Sequence, residues 1–296
     1  MVRLAFAGNG GCRGIRMLND NEIKGRVGSA AWSVDDIPYE SIDGSLIHDN
    51  NELFYLIASA SFVEITSDLY TRNLIEFFHG NPEIENWLAN FWELEEVQHG
   101  MALKRYVQAV WPEFDWERAY RAFYVEYGAA CTMEALAETR SLEMVARCVV
   151  ETGTSSFYRT LSEVSPEPVL KQITANISSD EVRHYKHFYR YFLDYKESER
   201  PGRVKILRQL WKRSTDVKAE DAYFAFKHVF LEHNPDDAFT LEAYDEFRAS
   251  FRRLGRTTFP YEMAVKMILK PLDLAAPLGR VVQPAVETTA RFLFSI

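Results

Sequence analysis

Two copies of one acidic pattern govern what this chain can fold into. Glu64 is followed by Glu96-Val97-Gln98-His99, and Glu151 by Glu181-Val182-Arg183-His184. The lone glutamates stand 87 residues apart and the Glu-x-x-His pairs 85 apart. Each copy places one Glu on a first helical stretch and a Glu-x-x-His pair on the next. In an α-helix, positions i and i+3 lie on one face about one turn apart, so each pair aims a carboxylate and an imidazole at one point. Charges taken out of water must be paired or bind metal. The acid at the inward end of Arg147-Cys148-Val149-Val150-Glu151 therefore needs a reason, and metal ligation supplies one.

The frame around the pattern is helical. Leu53, Leu56, Ile57, Ala60, Val63 and Glu64 share a face over 46–79, Leu74 and Phe78 continue it, and Gly80-Asn81-Pro82 stops it. Further helices are predicted over 82–110, 115–127, 129–163 and 168–197, the last two separated by Ser165-Pro166-Glu167-Pro168. Shorter ones follow near 203–213, 218–232, 240–254 and 260–269, and the final 27 residues read as less regular. No segment carries a strong strand signal. Residues 1–45, rich in turn residues, read as an irregular arm. Its GNGGCRG stretch fails as a dinucleotide loop, because Arg13 stands where the third glycine is required. The fold expected is all-α: a four-helix bundle core over 46–199, with 200–296 adding helices and a tail packed on it in the same domain.

Composition removes several classes of function. Acidic residues outnumber basic ones 43 to 34, for a net charge of −9, which repels nucleic acid. Three cysteines (Cys12, Cys131, Cys148) without a CxxC spacing fit a reduced, cytoplasmic thiol set better than a disulfide framework. No apolar run approaches the ~20 residues of a membrane span. No secretory leader is evident at the N-terminus.

Four carboxylates and two imidazoles are the ligand set that ferritin-like bundles use for two iron or manganese ions. Hard oxygen with borderline nitrogen donors suits those metals, and the absence of sulfur disfavours structural zinc. Such a set balances two Fe(II) without filling every coordination position, leaving room for O₂.

The flanking residues sharpen this. Trp92-Glu93-Leu94-Glu95-Glu96-Val97-Gln98-His99-Gly100 resembles the W-x-x-E-E-x-R-H-G segment of the soluble acyl-carrier-protein (acyl-ACP) desaturases, with Gln98 in place of Arg. Ser179-Asp180-Glu181-Val182-Arg183-His184 is similar to their A-D-E-x-R-H segment, and Glu151-x-x-Thr154 to their E-x-x-T. More weakly, Trp32-Ser33-Val34-Asp35-Asp36-Ile37-Pro38 resembles their N-terminal tryptophan segment. The resemblance covers about residues 30–195. It does not extend to the C-terminal third, and His187 has no counterpart in the family's pattern.

The resemblance implies that Glu64, Glu96, His99, Glu151, Glu181 and His184 hold the metals. It implies that Asp180 and Glu95 accept hydrogen bonds from the ligand histidines of the opposite half. Trp32 with Asp180 would form an electron-entry path, although a packed indole is an equal reading. Thr154 would steer protons, or else bond back to its own helix. His187 reads as a polar neighbour of the site, and so does Asp68, one turn after Glu64. Phe62, Phe91, Trp92, Phe157, Tyr158 and Phe188 would line an acyl channel, but core packing is their default. The basic run Arg200, Arg203, Lys205, Arg208, Lys212, Arg213 would dock an acidic carrier protein, or be a solvated face. Arg248, Arg252, Arg253 and Arg256 form a second basic cluster.

The function expected is an O₂-activating di-iron oxidoreductase that desaturates or hydroxylates an acyl group, carrier-bound as the resemblance implies. It would need two Fe (or Mn) ions, O₂ and an external ferredoxin-type or other reductase donor, and would form a homodimer. Two other readings stay open: a ferritin-like oxygenase (such as an N-oxygenase) of a small biosynthetic substrate, and an iron-handling ferroxidase.

Overall fold

The computed structural model of the protein describes residues 31–215 and 221–295. The first thirty residues of the arm, with Cys12 and GNGGCRG, lie outside the described residues. Among the described residues the fold is all-α, with no strand.

The chain enters through three 3₁₀ turns (Val34–Asp36, Tyr39–Ser41, Gly44–Leu46) and then forms α1 (Asn51–Ile65), α2 (Ser67–Phe77), α3 (Pro82–Trp87) and α4 (Glu93–Val110). After α5 (Trp116–Ala130) come α6 (Arg140–Val164) and α7 (Pro168–Glu199). The C-terminal part holds α8 (Arg203–Thr215), α9 (Asp221–His233), α10 (Leu241–Gly255), α11 (Tyr261–Leu269) and α12 (Ala276–Ser295).

Four helices build the centre. α1 packs along α4, α6 along α7, and α4 against α7 brings the two pairs together. The later helices cover this centre: α9 lies on α1 and α5, α8 and α11 on α6, and α10 on α1 and α6. At 32 residues, α7 runs on the order of 48 Å. Its start is fixed by Glu167, whose Oε2 accepts from Leu170 N at 2.8 Å, with Pro168 in the first turn. The same oxygen accepts from Tyr106 Oη of α4 at 2.9 Å, tying the two pairs at one end.

The apolar core is split. One cluster contains Phe62, Leu103, Tyr158 and Ile177, and the other contains Leu74, Trp92, Cys148 and Phe188. On α4, Glu96 and His99 fall between Trp92 and Leu103. On α6, Glu151 falls between Cys148 and Tyr158, and on α7, Glu181 and His184 fall between Ile177 and Phe188. Glu64 follows Phe62 directly. Each acidic residue of the repeat thus lies between two hydrophobic clusters, in one polar layer.

Several boundaries differ from expectation. The helix predicted over 46–79 breaks at Thr66, whose hydroxyl donates to Phe62 O at 2.7 Å and so takes a carbonyl of the last turn of α1. The stretch 82–110 is interrupted by a π-helical turn, Leu88–Trp92, just before the first Glu-x-x-His pair. The helix predicted from 129 starts only at Arg140, because Thr139 caps it by accepting from Leu142 N. The tail expected to be irregular forms α12 with Pro284 inside it; a proline there removes one intrahelical bond but does not end the helix.

Gly100 shows how closely α1 and α4 approach. A Cβ added there would lie 2.4 Å from Ile65 N and 2.7 Å from Ile65 Cα, backbone atoms that cannot swing aside. The glycine lets Glu64 and His99 face one another across the helix pair. Gly100→Ala should destabilise the fold by ~1–3 kcal/mol, the range for an overpacked core, read as a lower urea midpoint. Gly153→Ala, where an added Cβ meets nothing within 4 Å on a helix, should not destabilise it.

Candidate metal centre

The six repeat residues are buried: Glu64 4%, Glu96 8%, His99 0%, Glu151 1%, Glu181 1% and His184 1% exposed. They fall into two groups that share two acids, Glu64–Glu96–His99–Glu181 and Glu96–Glu151–Glu181–His184. In each group one ligand atom per residue lies within 4.8 Å of all the others. Glu96 and Glu181, one from each pair of helices, belong to both groups, and this is the placement that a carboxylate bridging two ions requires.

The atoms turned inward have no hydrogen-bond partner. They are Glu64 Oε2, Glu96 Oε1, His99 Nδ1, Glu151 Oε2, Glu181 Oε1 and His184 Nδ1. These six converge on one layer, where a cation could satisfy them. His99 Nδ1 faces Glu181 Oε1 at 3.2 Å and Glu64 Oε2 at 3.6 Å, while His184 Nδ1 faces Glu96 Oε1 at 3.0 Å and Glu151 Oε2 at 3.7 Å. These side chains fit a pair of divalent cations.

The outward ring nitrogens are fixed crosswise. His99 Nε2 is 3.1 Å from Asp180 Oδ2, and His184 Nε2 is 2.7 Å from Glu95 Oε2, so each half orients the other half's imidazole. An Nε2–H held this way leaves the Nδ1 lone pair facing the acids. Arg183 joins the two acceptors, donating to Asp180 Oδ1 and Glu95 Oε1 at 2.8 Å each.

Trp32 Nε1 donates to the same Asp180 Oδ2 at 2.8 Å, and its ring lies parallel to His99 at 6.1 Å. Gln98 Nε2 reaches Trp32 O at 3.2 Å, pinning the arm to α4. Thr154 Oγ1 is 2.6 Å from Glu181 Oε2, closer than the 3.2 Å to its own helix carbonyl Val150 O. Both readings of that threonine thus have a contact, and the contact with Glu181 is the shorter.

Other candidates lie apart. His187 stacks on Trp87 at 4.9 Å and belongs to neither group, although Trp87 stands edge-on to His184. Asp68, beyond the break at Thr66, pairs with Arg72 at 3.3 Å and accepts from Tyr124 at 3.2 Å. In the basic run, Arg203 is committed to the carbonyls of Leu272 and Asp273, and Arg200 is the left-handed residue that ends α7. Lys205, Arg208 and Lys212 stay exposed, while Arg213 is half-buried. Arg253 of the second cluster is held by Glu52 and Glu246. Of the aromatic residues, Phe91 is exposed, but Tyr158 donates its phenol proton to Glu64 Oε1 at 2.5 Å. Nothing in the sequence marks that contact, because a tyrosine in an apolar helix reads as core. The role of Arg183 was legible only as a charge inside the second motif.

Electrostatics follow from burial. Burial and the neighbouring Glu181 charge push the Glu151 carboxyl up to about 8, and burial with Glu181 and Glu64 raises Glu96 well above the usual range. Burial would raise Glu181 too, but contact with His99 and the charge of His184 hold it down at about 2. Burial would lower both histidines, yet the surrounding carboxylates, led by Asp180 for His99 and Glu151 for His184, raise them well above their ordinary value.

No protein-family model matches this chain, and no curated protein matches it.

Two predictions follow from the geometry. Glu96→Ala or His184→Ala should reduce binding from two metal ions per chain to one or none, counted by plasma emission spectrometry after dialysis. Loading should also release protons at pH 7, because ligation needs the bare forms of groups held protonated by burial and mutual contact. Metal affinity therefore falls as pH drops below about 8, through the Glu151 value. Calorimetry in buffers of different ionisation enthalpy reads the proton count; a count of zero would show that the acids are already bare.

Proposed function

We propose that the protein is a ferritin-like di-iron oxidoreductase that uses O₂ to desaturate or hydroxylate an acyl group delivered by a carrier protein. The observation that carries this reading is the layer of six buried ligand atoms converging on one another. Iron bound there would supply O₂ activation in its reduced state, and the chain's own residues do the rest. The two apolar clusters on either side exclude water from the layer. Asp180 and Glu95 fix the ring and tautomer of each histidine. The Trp32–Asp180–His99 chain of hydrogen bonds runs from a half-exposed indole to a ligand, a path for electrons from a ferredoxin-type or other reductase. Thr154 holds a hydroxyl proton against Glu181.

The acyl part of the reading rests on the motif resemblance together with α8. Val204, Leu207 and Trp211 are 81%, 55% and 71% exposed at spacings i, i+3 and i+7, and form a ridge. Lys205, Arg208 and Lys212 run beside it without ion pairs among the described residues. An apolar ridge edged with cations complements an acidic carrier helix. No helix among the described residues is long and apolar enough to cross a membrane. We place the protein in the cytoplasm, as a homodimer, on the same resemblance.

Desaturation consumes one O₂, two electrons and two protons, and gives an alkene and two waters. Hydroxylation consumes the same and gives an alcohol and one water. Iron-loaded protein should be turned over aerobically with a reductase system and a panel of acyl-carrier thioesters, followed by mass spectrometry. Loss of two hydrogens identifies desaturation, and gain of one oxygen identifies hydroxylation. Oxidation of iron with every thioester unchanged would refute the acyl reading.

A further inference from the structure

The two halves of the metal layer are not equivalent, and Tyr158 is one of the differences. The residue is 1% exposed and lies two turns beyond Glu151 on α6, yet its phenol serves the other lone glutamate. Tyr158 Oη donates to Glu64 Oε1 at 2.5 Å, while Glu64 Oε2 turns to the His99 side without a hydrogen-bond partner. Glu151 has no such attachment: among the described residues no hydroxyl donates to it, and its nearest cationic partner is His184 Nδ1 at 3.7 Å. The repeat offset places Thr71 where the counterpart of Tyr158 would stand, and its hydroxyl donates to its own helix at Ser67 O, 2.9 Å away.

A carboxylate can give a metal one oxygen or two. An oxygen already holding a short hydrogen bond from a buried phenol is a poor donor to a cation, because the phenol proton occupies its outward lone pair. We propose that Tyr158 keeps Glu64 to a single ligating oxygen, so that the metal position beside His99 is one donor short and takes a small exogenous anion. Tyr158 is in this sense a positioning residue that acts through Glu64. The inference rests on the di-metal reading and adds to it what holds the position beside His99 open.

Cobalt(II) and azide test this without turnover. Protein loaded with two Co(II) per chain should bind azide, followed by the visible d–d and ligand-to-metal bands. Absence of azide binding would overturn the inference. Tyr158→Phe removes the phenol proton at nearly constant volume and frees Glu64 Oε1 for metal. It should still hold two Co(II), show weaker d–d absorption as the open position fills, and bind azide ~10-fold less tightly, the scale on which groups behind metal ligands act. Unchanged azide affinity and an unchanged spectrum in Tyr158→Phe would also overturn it. Thr71→Val should leave both readouts as in the wild type. Failure of the wild type to bind two Co(II) would instead refute the di-metal reading itself, so the two failures are distinguishable.

Discussion

Four carboxylates cannot stay ionised in one buried layer without cations, and much of the structure answers that constraint. Glu64, Glu96, Glu151 and Glu181 sit between two apolar clusters where water cannot screen them. Burial and the neighbouring carboxylates push Glu151 and Glu96 towards their protonated forms, and the surrounding carboxylates raise both histidines. Two divalent ions would replace those protons. A layer built this way is a poor stabiliser of the empty fold, since buried charge seldom repays its desolvation. The apolar clusters on either side supply the stability instead.

The acceptors behind the ligands carry the same logic outward. Each histidine is oriented by an acid from the opposite half, and Arg183 joins both acids in one network. Movement of one helix pair relative to the other would disturb both imidazoles together. The Tyr106–Glu167 bond resists that movement from a further place. Precision in the layer thus depends on contacts between the pairs more than on any single helix.

How much of this could be read from the chain depends on whether the signal was periodic. The Glu-x-x-His pairs and the apolar spacing around them are helical repeats, so the ligand-bearing helices and their all-α setting were legible. The break at Thr66, the π-helical turn at Leu88–Trp92 and the late start of α6 at Thr139 were not. Each is decided by one side chain or one turn choosing a local hydrogen bond, and the apolar period runs straight through it. Helix α12 was missed for the opposite reason, because Pro284 reads as a stop that the local chain tolerates. Tyr158 was invisible because its contact joins residues 94 positions apart, across two helices that the sequence does not align.

The pseudo-symmetry that announces the site is broken twice at the same place. On the His99 side, Trp32 donates to Asp180 and stacks on the ligand ring, and Tyr158 holds one oxygen of Glu64. On the His184 side, Trp87 stands edge-on and stacks on His187 instead, while Glu95 receives Arg183 and His184 with no indole donor among the described residues. The duplicated motif brings the six ligand-type side chains together, and the contacts that depart from the duplication make the two ends of the layer chemically different.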